Sequence, residues 1–336
     1  MVYTSVGGVY VSIVTDQWQA KFSLFLSAIS VLYMLYSFRP AEALPDLPDY
    51  LALNENGIGS IITLGLSFPA VSMFNDAYWQ RVWSSEDEKA LKKGAFAAFF
   101  MISFVIFIFG FGGFLASWAG YVSDPNFAFF ELIAHSTGDL QEIMLIVVTM
   151  LAVAMNESLV DSFQNALTDC SSSLALSLGF EISITAARII TIFINIPIVI
   201  IGLQGYDVNS IFLISCLLTT TSFLPVVLGI YPGLDKYIHQ STALFSCLFS
   251  ICSIMIYGWI VKGSLLQGLY YCFWQTYRWQ VFLTAFTASA FGIALFLSFE
   301  FFYRYISKTA WKSFTPHGDL EVEYLDAFIH DEKIIK

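Results

Sequence analysis

Seven polar side chains crowd into ten residues at the end of a greasy stretch: Asn156, Glu157, Ser158, Asp161, Ser162, Gln164 and Asn165 follow an uncharged run from Ile143 to Ala154. On a helix, spacings of four and three put Glu157, Asp161 and Gln164 on one face, with Ser158, Ser162 and Asn165 beside them. Carboxylates and hydroxyls grouped in this way ligate a hard cation, cycle a proton or pair with a basic group. Within a membrane helix a carboxylate costs on the order of a few kcal/mol unless it is paired, hydrated or cation-bound, so such a stripe turns toward a bundle interior or a water-filled path. The other destination is the inner interface, where the apolar span ends near Asn156 and water covers the polar groups. Glu157 and Ser158 lie only about 20 Å from the start of the apolar run, within hydrocarbon reach.

The elements that must hold this stripe are membrane helices. Residues are 57% hydrophobic and 12% charged, whereas soluble domains carry about 25% charge; the chain reads as an all-α polytopic membrane protein. The 33 Phe and 17 Tyr suit lipid-facing helices and interfacial belts. The net charge of −11 resides in loops and the tail, and no basic stretch suggests nucleic acid. Five cysteines, Cys170, Cys216, Cys247, Cys252 and Cys272, lack disulfide or metal-ligand spacing and read as small apolar packers. His135, His239, His317 and His330 fall in loops or the tail, so no metal site is expected, and no nucleophile set, phosphate loop or metal cluster points to an enzyme.

In chain order, residues 1–14 are apolar but too short to span, with Gly7-Gly8 weakening a helix; they read as the end of a partial one. A first full span runs from Asp16 to Tyr36, with Thr15-Asp16 as its cap. After an exposed proline- and acid-rich loop, a second span covers 58–79. It is expected to kink or unwind at Gly65-Leu-Ser-Phe-Pro69, because proline lacks the backbone donor and clashes with the preceding turn. Unwound backbone at that depth belongs where it lines a cavity or is buried in protein. Ser67, Ser72 and Asn75 flank the break, and Phe68 is placed to close over a small solute. Further spans are expected at 94–118, 141–170, 182–203, 208–231, 241–261 and 281–303, giving about eight in all. Thr219-Thr-Thr-Ser222 reads as hydroxyls bonded back to the carbonyl four residues earlier or to a neighbour rather than a pathway lining. Asp76 and Arg81 read as a structural pair.

Lysine and arginine set the orientation. Arg81, Lys89, Lys92 and Lys93 place the loop after the second span in the cytosol, and Arg304, Lys308 and Lys312 do the same for the C-terminus, leaving residues 1–305 as the transmembrane domain and 306–336 as a cytoplasmic tail. Lys262 and Arg278 are the one discord, in a segment on the outer side that reads as interfacial and aromatic.

Three phrases in order resemble the sodium:solute symporter family. Tyr3-Thr4-Ser5-Val6-Gly7-Gly8 followed by Thr15-Asp16-Gln17-Trp18-Gln19 is similar to its "YTxxGG…TDxxQ" pattern. Trp79-Gln80-Arg81 resembles its "WQR" segment, and Ser158-Leu159-Val160-Asp161-Ser162 resembles its "STADS" segment; Arg188 also sits where members carry an arginine. The resemblance implies the inverted-repeat, leucine-transporter-like bundle, of which this chain would be the second half. It implies secondary active transport of a small polar solute by alternating access, in the plasma membrane, coupled to sodium or protons and needing no cofactor. Ser158 would face the coupling ion, Asp16 would lie on the exit path, and Gly65, Ser67, Phe68, Pro69, Ser72 and Asn75 would supply half the solute site.

The chain departs from the pattern in two ways. The family's second hydroxyl falls on Leu159, removing an oxygen ligand, and Glu157 replaces an apolar residue, so Glu157 with Asp161 is expected to take over coupling or else to pair with a basic group. Members also carry about four more helices before the first phrase, which implies a missing N-terminal half of the same gene as partner. Urea or another neutral or zwitterionic solute is preferred, there being no dense basic cluster for a highly charged anion. The rival reading is a sensor or regulatory membrane protein on the same scaffold that transports nothing, or an inactive fragment.

Overall fold

The computed structural model describes residues 2–38, 46–136, 139–205, 208–234, 237–274 and 278–307, with the side chains of 2–11 and 208 outside that set. Loop residues 39–45, Lys236 and the tail from 308, with Lys308, Lys312, His317 and His330, lie outside the described residues. Every regular element among the described residues is helical. They are α1 (Val2–Ser37), α2 (Glu55–Met73), α3 (Asp76–Trp83), α4 (Glu88–Trp118), a single 3-10 turn (Pro125–Phe127), α5 (Ala128–Ala134), α6 (Gln141–Ser177), α7 (Ile184–Leu203), α8 (Val208–Ile230), α9 (Gln240–Lys262), α10 (Leu265–Phe273) and α11 (Trp279–Ser307). Eight of them, α1, α2, α4, α6, α7, α8, α9 and α11, are long and apolar enough to cross a membrane. The chain is therefore a multi-pass membrane protein.

The helices fall into two compact units, Met1–Ile58 with Phe74–Tyr206, and Gly59–Met73 with Asp207–Lys336. In the first, α1 and α6 run antiparallel, since Tyr33 bonds Ser136 just ahead of α6 at 2.9 Å while Asp16 meets Ser158 well inside it. Ser27, Ser30 and Ser37 are buried along α1 beside Leu26, Tyr33 and Met34. Serines at helical spacing let backbones approach, and Ser30 satisfies its own hydroxyl by donating to the Leu26 carbonyl at 2.9 Å. A core of Tyr33, Met34, Ile108, Ala116, Phe129, Leu132, Ile133, Met144 and Val148 joins α1, α4, α5 and α6. Gly112 makes this possible, because a Cβ there would strike the Phe129 ring. Phe96, Phe99, Phe100 and Phe107 cover the rest of α4 and are exposed, as lipid-facing residues are. At its far end α6 stops at Gly179, whose φ of +83° only glycine adopts cheaply; the Phe180 amide then donates to the Ala175 carbonyl at 2.9 Å. Ser183 caps the following α7 by accepting from the Ala186 amide at 3.2 Å.

The second unit packs α8, α9 and α11 around Leu213, Cys216, Leu217, Ile254, Tyr271, Cys272, Val281, Phe282 and Ala285, with Leu66 and Val71 of α2 against them. Its seam is a ladder of buried, mostly small residues four apart: Thr242, Ser246, Ser250, Ile254 and Gly258 on α9, and Val281, Ala285, Ser289 and Ile293 on α11. Ser246 donates to the Ser289 carbonyl at 2.8 Å, Ser250 to Ala285 at 2.7 Å, and Ser289 to Thr221 of α8 at 2.9 Å. Beyond the ladder, Gly258 and Gly268 bring the main chains of α9 and α10 into direct contact; a Cβ on either would collide with the other's backbone.

Two expected interruptions are absent. α1 is one helix through Gly7-Gly8 and Thr15-Asp16, so the partial N-terminal helix and the first span are a single element and Asp16 is no cap. α2 likewise stays helical through Pro69 and ends at Met73. A single missing donor opens one hydrogen bond, which a membrane helix tolerates. The real break is at Phe74-Asn75, where Asn75 caps α3 by accepting from the Ala77 amide at 3.1 Å.

Candidate functional site

In the first unit a closed ring of polar contacts joins α1, α3 and α6. The Arg81 guanidinium pairs with Asp16 through Nη2, and the same nitrogen donates to Ser162 Oγ at 2.6 Å. Ser162 Oγ donates in turn to the Ser158 carbonyl at 2.8 Å, and Ser158 Oγ returns to Asp16 Oδ1 at 2.7 Å. Arg81 Nη1 donates to the Ala77 carbonyl at 2.9 Å, which fixes the fork on its own helix. The ion pair is partly sheltered, with side-chain exposures of 36% for Arg81 and 20% for Asp16.

Sequence places these groups by simple arithmetic. Ser158 and Ser162 are four apart on α6 and share a face; Arg81 falls in the last turn of the short α3, whose cap Asn75 sets its start. The ring lies about 26 Å along α6 from Gln141, and Asp16 about 32 Å along α1 from Ser37. These lengths match one hydrocarbon thickness of roughly 30 Å, so the ring occupies the margin of the apolar span, covered by neighbouring helices. The two destinations weighed for the stripe thus coincide in part: it stands near the end of the span and is nonetheless enclosed.

Next to the ring Asp161 is 1% exposed, and Gln164 and Asn165 are almost as deeply buried. Glu157 is not among them. It is exposed, and among the described residues it has no ion-pair or hydrogen-bond partner. Successive helical residues point 100° apart, so turning Ser158 toward Asp16 aims Glu157 away from α1. Its expected sequestration with Asp161 is therefore corrected: the buried carboxyl of this stripe is Asp161. Leu159 is exposed as well, so its lost hydroxyl is lost on an outward face.

The expected Asp76–Arg81 pair is also corrected, since Arg81 takes Asp16. Asp76 belongs to a second cluster: Gln80 Nε2 donates to Asp169 Oδ2 of α6 at 2.6 Å and reaches Asp76 Oδ2 at 3.4 Å. Asp169 was not singled out in the sequence. Its signal was available: seven residues, close to two full turns, beyond Ser162, it lies on the same face of α6 and meets Gln80, the neighbour of Arg81.

On α2, Ser67 is buried and Ser72 partly so, whereas Gly65, Phe68 and Pro69 are exposed. Phe68 packs on Phe212 with ring centroids 6.0 Å apart. The hydroxyl run on α8 is self-satisfied, as read from sequence: Thr219, Thr220 and Thr221 donate to carbonyls of their own helix, and Ser222 bonds Cys247 at 3.0 Å. Of the cysteines, Cys216 and Cys272 pack inside while Cys170 and Cys252 are exposed. Burial pushes the Cys272 thiol up to about 11, which suits a packer. Among the described residues no group of His, Cys, Asp and Glu could hold a metal ion.

No family model matches this chain, no curated protein is significantly similar to it in sequence, and no solved structure matches its fold to a significant degree.

Proposed function

We propose that the chain is a secondary active transporter, or a large part of one, in which Asp16, Ser158, Asp161 and Ser162 take up and release the coupling ion, a sodium ion or a proton. The observation that carries this reading is the burial of Asp161 beside the Asp16–Arg81–Ser162–Ser158 ring, in helices otherwise apolar. Ionisable groups enclosed by membrane helices mark ion paths more often than they serve stability, because enclosure is costly and only a function repays it. The ring offers two states: Arg81 neutralises Asp16 when they pair, and a cation takes its place against Asp16 and the Ser158 hydroxyl when they part. The resemblance to the sodium:solute symporter family and its inverted-repeat bundle supports the same reading. The solute is proposed to be small and neutral or zwitterionic, with Ser67 and Ser72 of α2 among its contacts.

A second reading, a sensor or regulatory protein that moves no solute, is favoured by the same ion pair, which is already satisfied and needs no cation. Flux separates the two. Proteoliposomes containing the purified chain are given a panel of labelled solutes, urea included, with sodium or choline outside and at pH 5.5 and 7.5. The transporter reading expects uptake above empty vesicles that depends on sodium or on the pH gradient, and that Asp161→Asn abolishes. Uptake equal to empty vesicles for every solute, with the helices intact by circular dichroism, rejects it.

A further inference from the structure

We propose that Lys262 and Arg278 form a site for the phosphate of a phospholipid headgroup, with the Tyr271 ring as its floor. α9 ends on Lys262, Gly263 at a φ of +69° turns the chain, α10 follows, and Arg278 immediately precedes α11. Both cations therefore sit where spanning helices end, at a membrane boundary. Lys262 Nζ lies 4.6 Å from the Tyr271 ring centroid and the Arg278 guanidinium carbon 5.1 Å from it. The two charges are thus no further apart than those distances laid end to end, near enough for the flexible Lys262 stem to bring its ammonium to a phosphate that the Arg278 fork holds.

Two like charges so placed repel, and among the described residues no anion bridges them. From Lys262 to Gln280 there is no Asp or Glu, and among the described residues neither cation forms a salt bridge. Tyr271 is buried, at 8% exposure, while Lys262 and Arg278 are exposed, so the pair is open to a ligand above a solid base. A guanidinium and an ammonium together give charge-assisted hydrogen bonds to phosphate oxygens, the first as a planar fork and the second as a point charge.

The neighbouring side chains argue for a phosphate carried on a lipid. Leu265, Leu266 and Tyr270 of α10, with Trp274 just after it, are exposed, an apolar and aromatic set that rests at the level of headgroups and upper acyl chains. A headgroup anchored by its own tails in the same layer reaches the two cations without being drawn from solution. This also accounts for two positive charges that run against the lysine and arginine distribution of the other loops: they are set for a lipid, not for orientation.

The test is native mass spectrometry of the delipidated full chain titrated with phosphatidylglycerol, phosphatidylcholine or inorganic phosphate. Phosphatidylglycerol is expected to bind tightest, since its headgroup keeps the full negative charge. Lys262→Gln with Arg278→Gln should weaken it by roughly thirtyfold, and either single substitution by roughly fivefold. Lys21→Gln, which removes a lone cation 4.9 Å from the Trp18 ring on α1, should leave binding unchanged. Equal binding of phosphatidylglycerol by the wild type and a folded double variant, or by each single variant if the double loses helix, overturns the site. Displacement of the lipid by an equal concentration of inorganic phosphate overturns the lipid as its occupant.

Discussion

The two units hold their helices together with many of the same residue types and opposite electrostatics. In the second, Ser246, Ser250 and Ser289 tie α8, α9 and α11 by giving hydroxyl protons to backbone carbonyls, and that seam contains no carboxylate and no cation. Its described ion pair, Glu300 with Arg304, stays within one helix at i and i+4. In the first, Ser158 and Ser162 bind a carboxylate and a guanidinium that come from two other helices. A serine that answers a carbonyl stabilises contact and asks for nothing more. A serine that answers a charge holds a contact that a competing ion can take, which is why only the first seam is read as functional.

The largest effect should come from breaking the charge-bearing seam. Arg81→Ala leaves Asp16 facing Ser158 alone and is expected to lower stability by about 2 kcal/mol, less than for a fully buried pair because both side chains retain some water. Adding Asp16→Ala should restore part of the loss. Thermal unfolding in detergent, read as a double-mutant cycle, checks this; strictly additive losses would mean that the pair is not coupled. Next comes a direct comparison of serines. Ser158→Ala strips a hydrogen bond from a carboxylate and should cost about 1.5 kcal/mol, whereas Ser289→Ala removes a neutral bond between membrane helices and should cost about 0.6 kcal/mol. Equal losses would dissolve the distinction between the seams.

The smallest effect lies outside both. Glu131 accepts from the Ser123 hydroxyl and amide and from the Asp124 amide, and these bonds, the Ser123 hydroxyl first, hold its carboxyl below the usual range. A carboxyl depressed in the folded state contributes stability above its unfolded pKa and loses it as pH falls through the folded one. The stability gap between wild type and Glu131→Gln should therefore be present at neutral pH and close under acid, below the ordinary carboxylate range. A gap that widens on acidification would show that the sign is wrong.

Eight spans were legible because each is a long apolar run with a polar or glycine-marked end, and length alone separates a membrane helix from other elements. Local breakers misled because the helices run on through them. Pro69 removes only one donor, and Gly7-Gly8 is spanned by a helix that continues for about eight more turns. At the candidate site, the resemblance in motifs puts Ser158 toward a coupling ion and Asp16 on an exit path, but neither it nor periodicity puts them in contact with each other. Periodicity alone put Glu157 on the stripe, since it cannot say which edge of a polar face a neighbouring helix covers. Arg81 was named but paired with the nearer Asp76; its partner lies 65 residues away on another helix, and no spacing rule reaches that far.

One contact in the second unit limits how that unit can move. Where Gly258 and Gly268 touch, no side chain lies between the main chains to deform or slide, so shear along that line requires lifting one strand of atoms off the other. The short segment after α9 is in effect riveted to it and travels with it. Any bending in this half of the chain must fall elsewhere, and Lys262, at the end of α9, keeps its place beside α10 as a fixed foot for that corner.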